Sequence, residues 1–195
     1  MSHLPGFTRT VVGWTPWIET IDDIEATPDQ LAIVDQIVGS RRTGRTYWAA
    51  LAHDADVLRH RHDLFPETLR DKSDEGGSPR TDLELSAVAA SRETGCVYCA
   101  SVHARAYVQF GGDAALVDAV LADGATADLP GRERALVAFS AKLAGAPNGI
   151  GPGDLEPLRA AGFTDLEIYD IAHASAMFAW ANRLLLTLGA QSVSG

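Results

Sequence analysis

The sequence predicts an all-α fold, a helical bundle preceded by an N-terminal arm and a helical extension. Apolar residues recur at helical spacing along most of the chain, and no segment alternates apolar and polar residues as a half-buried strand does. Glycines such as Gly124 and Gly162 follow these segments at the positions where helices commonly end. The 195 residues, 46% of them hydrophobic, suffice for one substantial core, so we expect one structural domain overall.

Residues 1–70 are predicted to form the arm and the helical extension, packed on the body. Residues 1–27 contain prolines but no sustained helical period, which indicates an extended arm. Asp54 is a suitable cap for a helix that should end by about Phe65, because Pro66 cannot continue it. Helices in this part are predicted over residues 27–38, 45–53 and 55–65.

Residues 71–195 are predicted to form the helical core. The segment 71–80, DKSDEGGSPR, is the clearest loop and separates the two parts of the chain. Ser78 and Pro79 are expected to begin the next helix, with Ser78 as its cap and Pro79 in its first position. Six helices are predicted here, over residues 79–94, 96–110, 113–122, 131–144, 154–161 and 165–188.

Composition narrows the range of partners. The net charge of −10 and the pI near 4.9 argue against nucleic acid and against an anionic membrane surface, since both attract a concentrated basic patch. No basic segment followed by an apolar one opens the chain, which argues against a secretory signal. Residues 171–190 are long enough to cross a bilayer, but His173, Asn182 and Arg183 interrupt them and favour a buried core helix. We therefore expect a cytoplasmic protein without nucleic-acid or membrane partners.

The segment RETGCVYCASVHARAY, residues 92–107, contains the only two cysteines of the chain. If Cys96 begins a helix, Cys96 and Cys99 lie about one turn apart in its first turn. Free backbone N–H groups and the helix dipole stabilise a thiolate at that end. His103 follows Cys99 by four residues, so its imidazole shares the same helix face and provides a base beside a nucleophile.

Glu84 precedes Cys96 by twelve residues and lies on the preceding helix. A tight turn at Gly95 would fold that helix back against the cysteine helix, so that the Glu84 carboxylate could orient His103. The alternative is that Glu84 serves the backbone of its own helix, because Thr81 and Glu84 have the spacing of a capping box. The spacing leaves both roles open.

Two other interpretations of the cysteine segment also remain open. Free cysteine packs readily as a small apolar side chain, so Cys96 and Cys99 could simply be buried. A zinc site built from both cysteines, His103 and Glu84 has suitable ligand types, although zinc sites usually add a distant second pair of ligands. Covalent haem attachment is excluded because Ala100, not histidine, follows the second cysteine.

The string Glu84-x11-Cys96-x2-Cys99-x3-His103 resembles the signature of the alkyl hydroperoxidase D-like branch of the carboxymuconolactone decarboxylase superfamily. The resemblance covers most of the chain. The arm GWTPWIETI, the motif helices and the closing segment FTDLEIYDIAHASAMFAWANRLLLTLGA follow the layout of proteins described as peroxidase-related. This resemblance implies that the protein is a helical bundle of the alkyl hydroperoxidase D-like type and forms a homo-oligomer. It also implies a thiol peroxidase that needs neither cofactor nor metal.

The resemblance also implies roles for the four motif residues. Glu84 would polarise His103, which would take the proton of Cys99. The Cys99 thiolate would attack a hydroperoxide, Cys96 would resolve the resulting sulfenic acid to a disulfide, and an external dithiol or protein of lipoyl or thioredoxin type would reduce it. Helix position favours Cys96 as the attacking residue and the histidine spacing favours Cys99; we assign the attack to Cys99.

One motif position departs from the family. The best-known members have a histidine before the second cysteine that is thought to join the proton relay, whereas this chain has Tyr98. A phenol with its usual pKa near about 10 does not relay protons in that way at neutral pH. Tyr98 is therefore expected to pack, or to donate a hydrogen bond to a substrate oxygen.

Two rival functions follow from the same residues. The first is a redox-sensing or disulfide-exchange protein without substantial peroxide turnover. The second is a carboxymuconolactone decarboxylase-like enzyme, although that branch of the superfamily lacks the dithiol. Peroxide treatment followed by titration of free thiols separates these functions, because incidental cysteines in a decarboxylase form no disulfide.

Overall fold

Helices make up most of the protein in the computed structural model, which describes residues 6–39 and 44–193. The predicted all-α class is confirmed, and most helices begin or end within a few residues of their predicted positions. The helices are α1 (Pro28–Val38), α2 (Arg45–Leu51), α3 (Ala55–Thr68), α4 (Arg80–Thr94), α5 (Val97–Gln109), α6 (Ala114–Asp123), α7 (Gly131–Gly145), α8 (Glu156–Ala160) and α9 (Asp165–Leu188).

Helix α4 is the centre of the bundle. It packs against α5, α7 and α9, and all of residues 83–91 are buried, including the small side chains of Ala87 and Ala90. A helix that buries every face needs small residues where its neighbours approach closely, and a polar side chain on such a helix lies inside the core. Glu84 is one of these buried residues, so the candidate relay carboxylate lies within the core.

Helix α9 is the buried closing helix that the sequence predicts. It packs against α4 and α7, and its buried residues include Asn182 and Asp170. A capping box of Thr164 and Glu167 begins the helix. None of the helices in residues 6–39 and 44–193 combines the length and the apolar character needed to cross a membrane.

A two-stranded antiparallel sheet, which the sequence analysis did not predict, joins the ends of the described chain. Strand β1 (Val12–Pro16) lies in the N-terminal arm and pairs with β2 (Gly189–Val193), which follows α9. A Cβ atom at Gly189 would lie 2.4 Å from the indole of Trp14, so only glycine allows this approach. Residues 6–27 of the arm contain no helix, in agreement with the prediction, and the sheet fixes the arm to the body; residues 1–5 of the predicted arm lie outside the described residues.

Helix α3 does not end before Pro66, contrary to the prediction. It continues to Thr68 with Pro66 in its last turn. Proline removes only its own N–H from the helix, so the loss is the single hydrogen bond to the His62 carbonyl. The ring of the preceding Phe65 packs edge-on against Phe178, with 5.6 Å between ring centroids, and holds this turn against α9.

Ser78 does not cap α4, contrary to the prediction. Its backbone N–H donates to the Asp170 carboxylate at 3.0 Å, and its hydroxyl donates to the Glu167 carbonyl at 3.2 Å. The helix begins one residue later than predicted, at Arg80, whose N–H donates to the Asp71 carboxylate at 2.9 Å. A distant aspartate therefore takes the place of the local cap.

Candidate active site

The turn between α4 and α5 places the cysteines. Gly95 has φ of 85°, a left-handed conformation that glycine adopts readily, and the N–H of Cys96 donates back to the Ser91 carbonyl at 2.9 Å. The buried amide of Asn182 donates to the Thr94 hydroxyl at 2.8 Å and accepts from the Ser91 hydroxyl at 3.2 Å. Helix α9 thus secures the turn that precedes the dithiol.

Cys96 and Cys99 are both buried free thiols at the start of α5. Cys96 is the N-cap residue, and its sulfur accepts the backbone N–H of Cys99 at 3.4 Å. Cys96 is 0% exposed and Cys99 5% exposed. Burial raises the pKa of the Cys99 thiol well above its usual value, and the hydrogen bond and charge of Cys96 raise it further. The structure brings the two sulfurs together as predicted, in surroundings that oppose a thiolate.

Glu84 and His103 form a buried hydrogen-bonded pair. Glu84 Oε2 lies 2.6 Å from His103 Nδ1, and Glu84 Oε1 accepts a hydrogen bond from Arg80 Nε at 2.7 Å. Burial acts to raise the pKa of Glu84, but His103 and Arg80 outweigh it, so this pKa lies below its ordinary value. Of the two roles left open by the sequence, Glu84 therefore takes the contact with His103.

The ionised Glu84 also determines the tautomer of His103. A carboxylate only accepts hydrogen bonds, so Nδ1 of His103 carries a proton and Nε2 of the neutral ring has the free lone pair. The edge of the Phe178 ring packs against the imidazole, with 4.1 Å between centroids. No hydrogen bond joins His103 to either sulfur within residues 6–39 and 44–193. The four motif residues thus form two separate hydrogen-bonded pairs, Glu84 with His103 and Cys96 with Cys99.

The side chains do not assemble a metal site in the described part of the chain. No three histidine, cysteine, aspartate or glutamate side chains there converge closely enough to hold a metal ion. The zinc alternative, which required both cysteines, His103 and Glu84 around one ion, does not match this arrangement.

Tyr98 lies between the cysteines and a cavity of about 660 Å³. Its backbone N–H donates to the side-chain carbonyl of Gln191 at 2.6 Å, which ties the cysteine helix to β2. Burial raises the pKa of its phenol. Its hydroxyl has no hydrogen-bond partner among the residues described, and it lies beside a cavity that Trp48 and Arg105 also line. Tyr98 is thus part of the cavity wall, in contact with neither member of the Glu84 and His103 pair through a hydrogen bond.

Arg61 is a residue of the site that the sequence analysis missed. It is 5% exposed, and its Nη2 donates to the Tyr47 hydroxyl at 3.0 Å. Its positive charge lowers the pKa of Cys99, against the larger effect of burial. A signal was available in α3, because Leu58, Arg61 and Phe65 recur at helical spacing and Arg61 therefore falls on the face that turns inward.

Taken together, the fold and the site define a helical protein with a buried C-x-x-C dithiol beside a carboxylate–imidazole pair. Residues 63–142 match the model of the carboxymuconolactone decarboxylase family. This match supports the resemblance to the alkyl hydroperoxidase D-like branch of the carboxymuconolactone decarboxylase superfamily.

Two solved structures extend this similarity over most of the chain. One is an uncharacterized peroxidase-related protein from Ralstonia eutropha JMP134 with an alkylhydroperoxidase AhpD core. It is 27% identical, with a TM-score of 0.69 over 84% of this chain and 88% of that one. The other, an uncharacterized peroxidase-related protein from Silicibacter sp. TM1040, is 27% identical, with a TM-score of 0.70 over 89% and 91% of the chains. No curated protein matches this sequence.

Proposed function

We propose that the protein is a thiol-dependent peroxidase that reduces organic hydroperoxides. The observation that carries the proposal is the hydrogen bond between Glu84 and His103. His103 lies one helical turn from Cys99, and this hydrogen bond leaves Nε2 of its imidazole free to accept a proton. A nucleophile, a base and a group that orients the base are the usual parts of an activated thiol. The likeness to two peroxidase-related structures gives independent support.

The first step is the transfer of the Cys99 proton to Nε2 of His103, directly or through one water molecule. The Glu84 carboxylate stabilises the imidazolium that results, since it accepts the hydrogen bond from Nδ1. Because burial raises the pKa of Cys99, this transfer is the costly part of the reaction, and a neighbouring base is needed to make thiolate at neutral pH.

The second step is attack of the Cys99 thiolate on the terminal oxygen of a hydroperoxide ROOH. A sulfur–oxygen bond forms and the oxygen–oxygen bond breaks. The departing alkoxide takes the proton from His103 and leaves as the alcohol ROH. The sulfur is oxidised by two electrons to a sulfenic acid, and the peroxide is reduced by the same two electrons.

The third step restores the dithiol. Cys96 attacks the sulfur of the Cys99 sulfenic acid, the disulfide forms and water leaves. An external dithiol of lipoyl or thioredoxin type then reduces the disulfide and is itself oxidised. No metal or prosthetic group takes part in this scheme.

Single cysteine variants test the proposal. With one equivalent of cumene hydroperoxide, Cys96→Ser should form a sulfenic acid on Cys99 that dimedone traps, and mass spectrometry locates the adduct. Cys99→Ser should give no adduct and no peroxide consumption. Trapping on Cys96 in the Cys99→Ser protein would instead assign the attack to Cys96. If neither variant nor the parent protein consumes peroxide, the proposed function is wrong.

The rival functions give different results with the parent protein. A redox sensor or disulfide-exchange protein forms the disulfide once but shows no continued turnover with dihydrolipoamide or with reduced thioredoxin. A decarboxylase-like enzyme with incidental cysteines keeps both thiols after substoichiometric peroxide. Continued peroxide consumption with either reductant supports the peroxidase.

A further inference from the structure

The guanidinium of Arg61 is enclosed in an aromatic cage. Its central carbon lies 4.0 Å from the centroid of the Phe65 ring and 4.9 Å from that of Trp48. Cation–π attraction offsets part of the cost of burying the charge. The four rings of the cage are Tyr47, Trp48, Phe65 and Trp180.

Among the described residues, Arg61 has no anionic partner of the kind that a buried arginine usually has. Nε and Nη1 are buried and have no hydrogen-bond partner among the described residues, and no carboxylate there forms an ion pair with Arg61. Unpaired buried donors are costly, because a donor removed from water without an acceptor loses a hydrogen bond. The cage therefore holds a buried positive charge whose Nε–H and Nη1–H groups have no acceptor among the described residues. Such a charge would stabilise an anion that forms nearby.

The cage adjoins the cysteines through Tyr47. The Tyr47 hydroxyl accepts the hydrogen bond from Arg61, and its ring packs in one buried cluster with Cys96 and Cys99. The titratable groups that face the cysteines also include Tyr98, and burial keeps both phenols in the neutral form by raising their pKa. Arg61 is thus the cationic side chain that acts on Cys99 within the part of the chain described.

We propose that Arg61 is the electrostatic partner of the Cys99 thiolate, and that the charge of its guanidinium stabilises the negative charge that develops at this sulfur. Arg61 is a positioning residue in this scheme, since it acts through Cys99. The inference deepens the proposed function and rests on it for its catalytic meaning, but the stabilisation of the thiolate is measurable without peroxide.

The experiment is the pH profile of Cys99 alkylation by iodoacetamide in the Cys96→Ser background, with and without Arg61→Met. A neighbouring positive charge lowers a thiol pKa by about one unit or more, so its removal should slow alkylation at pH 7 about tenfold and move the profile about one unit upward. Arg59→Met is the matched control, since Arg59 lies on the same helix with its side chain 41% exposed and should leave the profile unchanged.

Further variants keep the test decisive if Arg61→Met does not fold. Arg61→Gln is neutral but its amide still donates to Tyr47, and it should shift the profile as Met does. Arg61→Lys keeps the charge and should stay within about threefold of the unmodified Cys96→Ser protein. A folded neutral variant with an unshifted profile overturns the proposal, and so does a lysine variant that is about tenfold slower.

Failure of this inference is distinguishable from failure of the proposed function. If the parent protein shows no peroxide turnover but Arg61→Met shifts the alkylation profile, Arg61 still stabilises the thiolate and only the peroxidase proposal is wrong. If the parent protein turns over peroxide and the Arg61 variants alkylate as the Cys96→Ser protein does, the peroxidase proposal stands and the role of Arg61 is refuted.

Discussion

Glu84→Gln is the most informative single change at the site, because it preserves shape and alters one proton. Glu84 is fully buried, and each of its oxygens accepts one charge-assisted hydrogen bond. Glutamine has one carbonyl oxygen, which can continue to accept from Arg80. Its NH2 group then faces His103 Nδ1, which must become the acceptor, so the ring proton moves to Nε2. The free lone pair that would take the Cys99 proton is lost.

The expected effects differ in size for activity and stability. Loss of a correctly oriented general base slows a reaction about 10²- to 10⁴-fold, and we expect this loss in the rate of peroxide reduction. Both hydrogen bonds of the side chain remain but lose the charge of the carboxylate, which lowers the free energy of unfolding by about 2 kcal/mol. For a chain of this length that corresponds to a decrease in Tm of about 4–8 °C.

The assay is stopped-flow measurement of peroxide-dependent thiol oxidation, with circular dichroism for stability. Glu93→Gln is the control, because Glu93 lies on the same helix but is exposed. We expect it to retain the parent rate and Tm. A Glu84→Gln protein that is folded and oxidises within about threefold of the parent rate would refute the relay.

The same variant has a predictable pH dependence of stability. The pKa of Glu84 is lower in the folded protein than in the unfolded chain, where it is about 4.3. Its contribution to stability is therefore complete above that value, declines as the pH falls below it and is lost below the folded pKa. The difference in unfolding free energy between parent and Glu84→Gln, from urea titrations, should shrink on acidification below about pH 4.3; a difference that grows instead contradicts the assigned charge.

Two further predictions concern the surroundings of the site. Pro66→Ala restores a backbone N–H for the His62 carbonyl in the last turn of α3 and should raise the free energy of unfolding by about 1 kcal/mol in urea; a decrease would show that proline stabilises this turn. Phe178→Ala removes a buried ring that packs on His103 and should lower the free energy of unfolding by about 3–5 kcal/mol. Phe178→Leu keeps most of the volume and should cost less than about 1.5 kcal/mol, and equal losses for the two variants would contradict a packing effect.

The contact of Glu84 with His103 was one of two roles that the sequence left open, and it could be named because it depends on local rules. Gly95 ends one helix and allows the next to fold back. Glu84 and His103 lie on the two helices that this turn joins. Helical spacing then decides which side chains share a face. The left-handed conformation of Gly95 and the N-cap position of Cys96 follow from the same residues.

The features that were missed depend on contacts between residues far apart in sequence. Arg61 enters the site because it packs against residues of both α2 and α9, and no short motif reports these contacts. The β1 and β2 pairing joins segments more than 170 residues apart, and neither strand is long enough to show a clear alternation. Asp71 displaced Ser78 as the cap of α4 because the loop folds back on itself, which local cap preference does not describe.

The charges around the dithiol explain how so buried a thiol could ionise. With Cys99 neutral, Arg61 is a buried cation that has no carboxylate partner among the described residues. Transfer of the Cys99 proton to His103 makes an imidazolium beside Glu84 and, under the role proposed for Arg61, a thiolate beside a cation. Each new charge then faces one of opposite sign, and in a poorly polarisable interior such pairs are attracted far more strongly than in water. Burial opposes an isolated thiolate, but it strengthens the attraction within these two pairs of opposite charges. Loss of either Glu84 or Arg61 should therefore increase the protonated fraction of Cys99 and lower its reactivity.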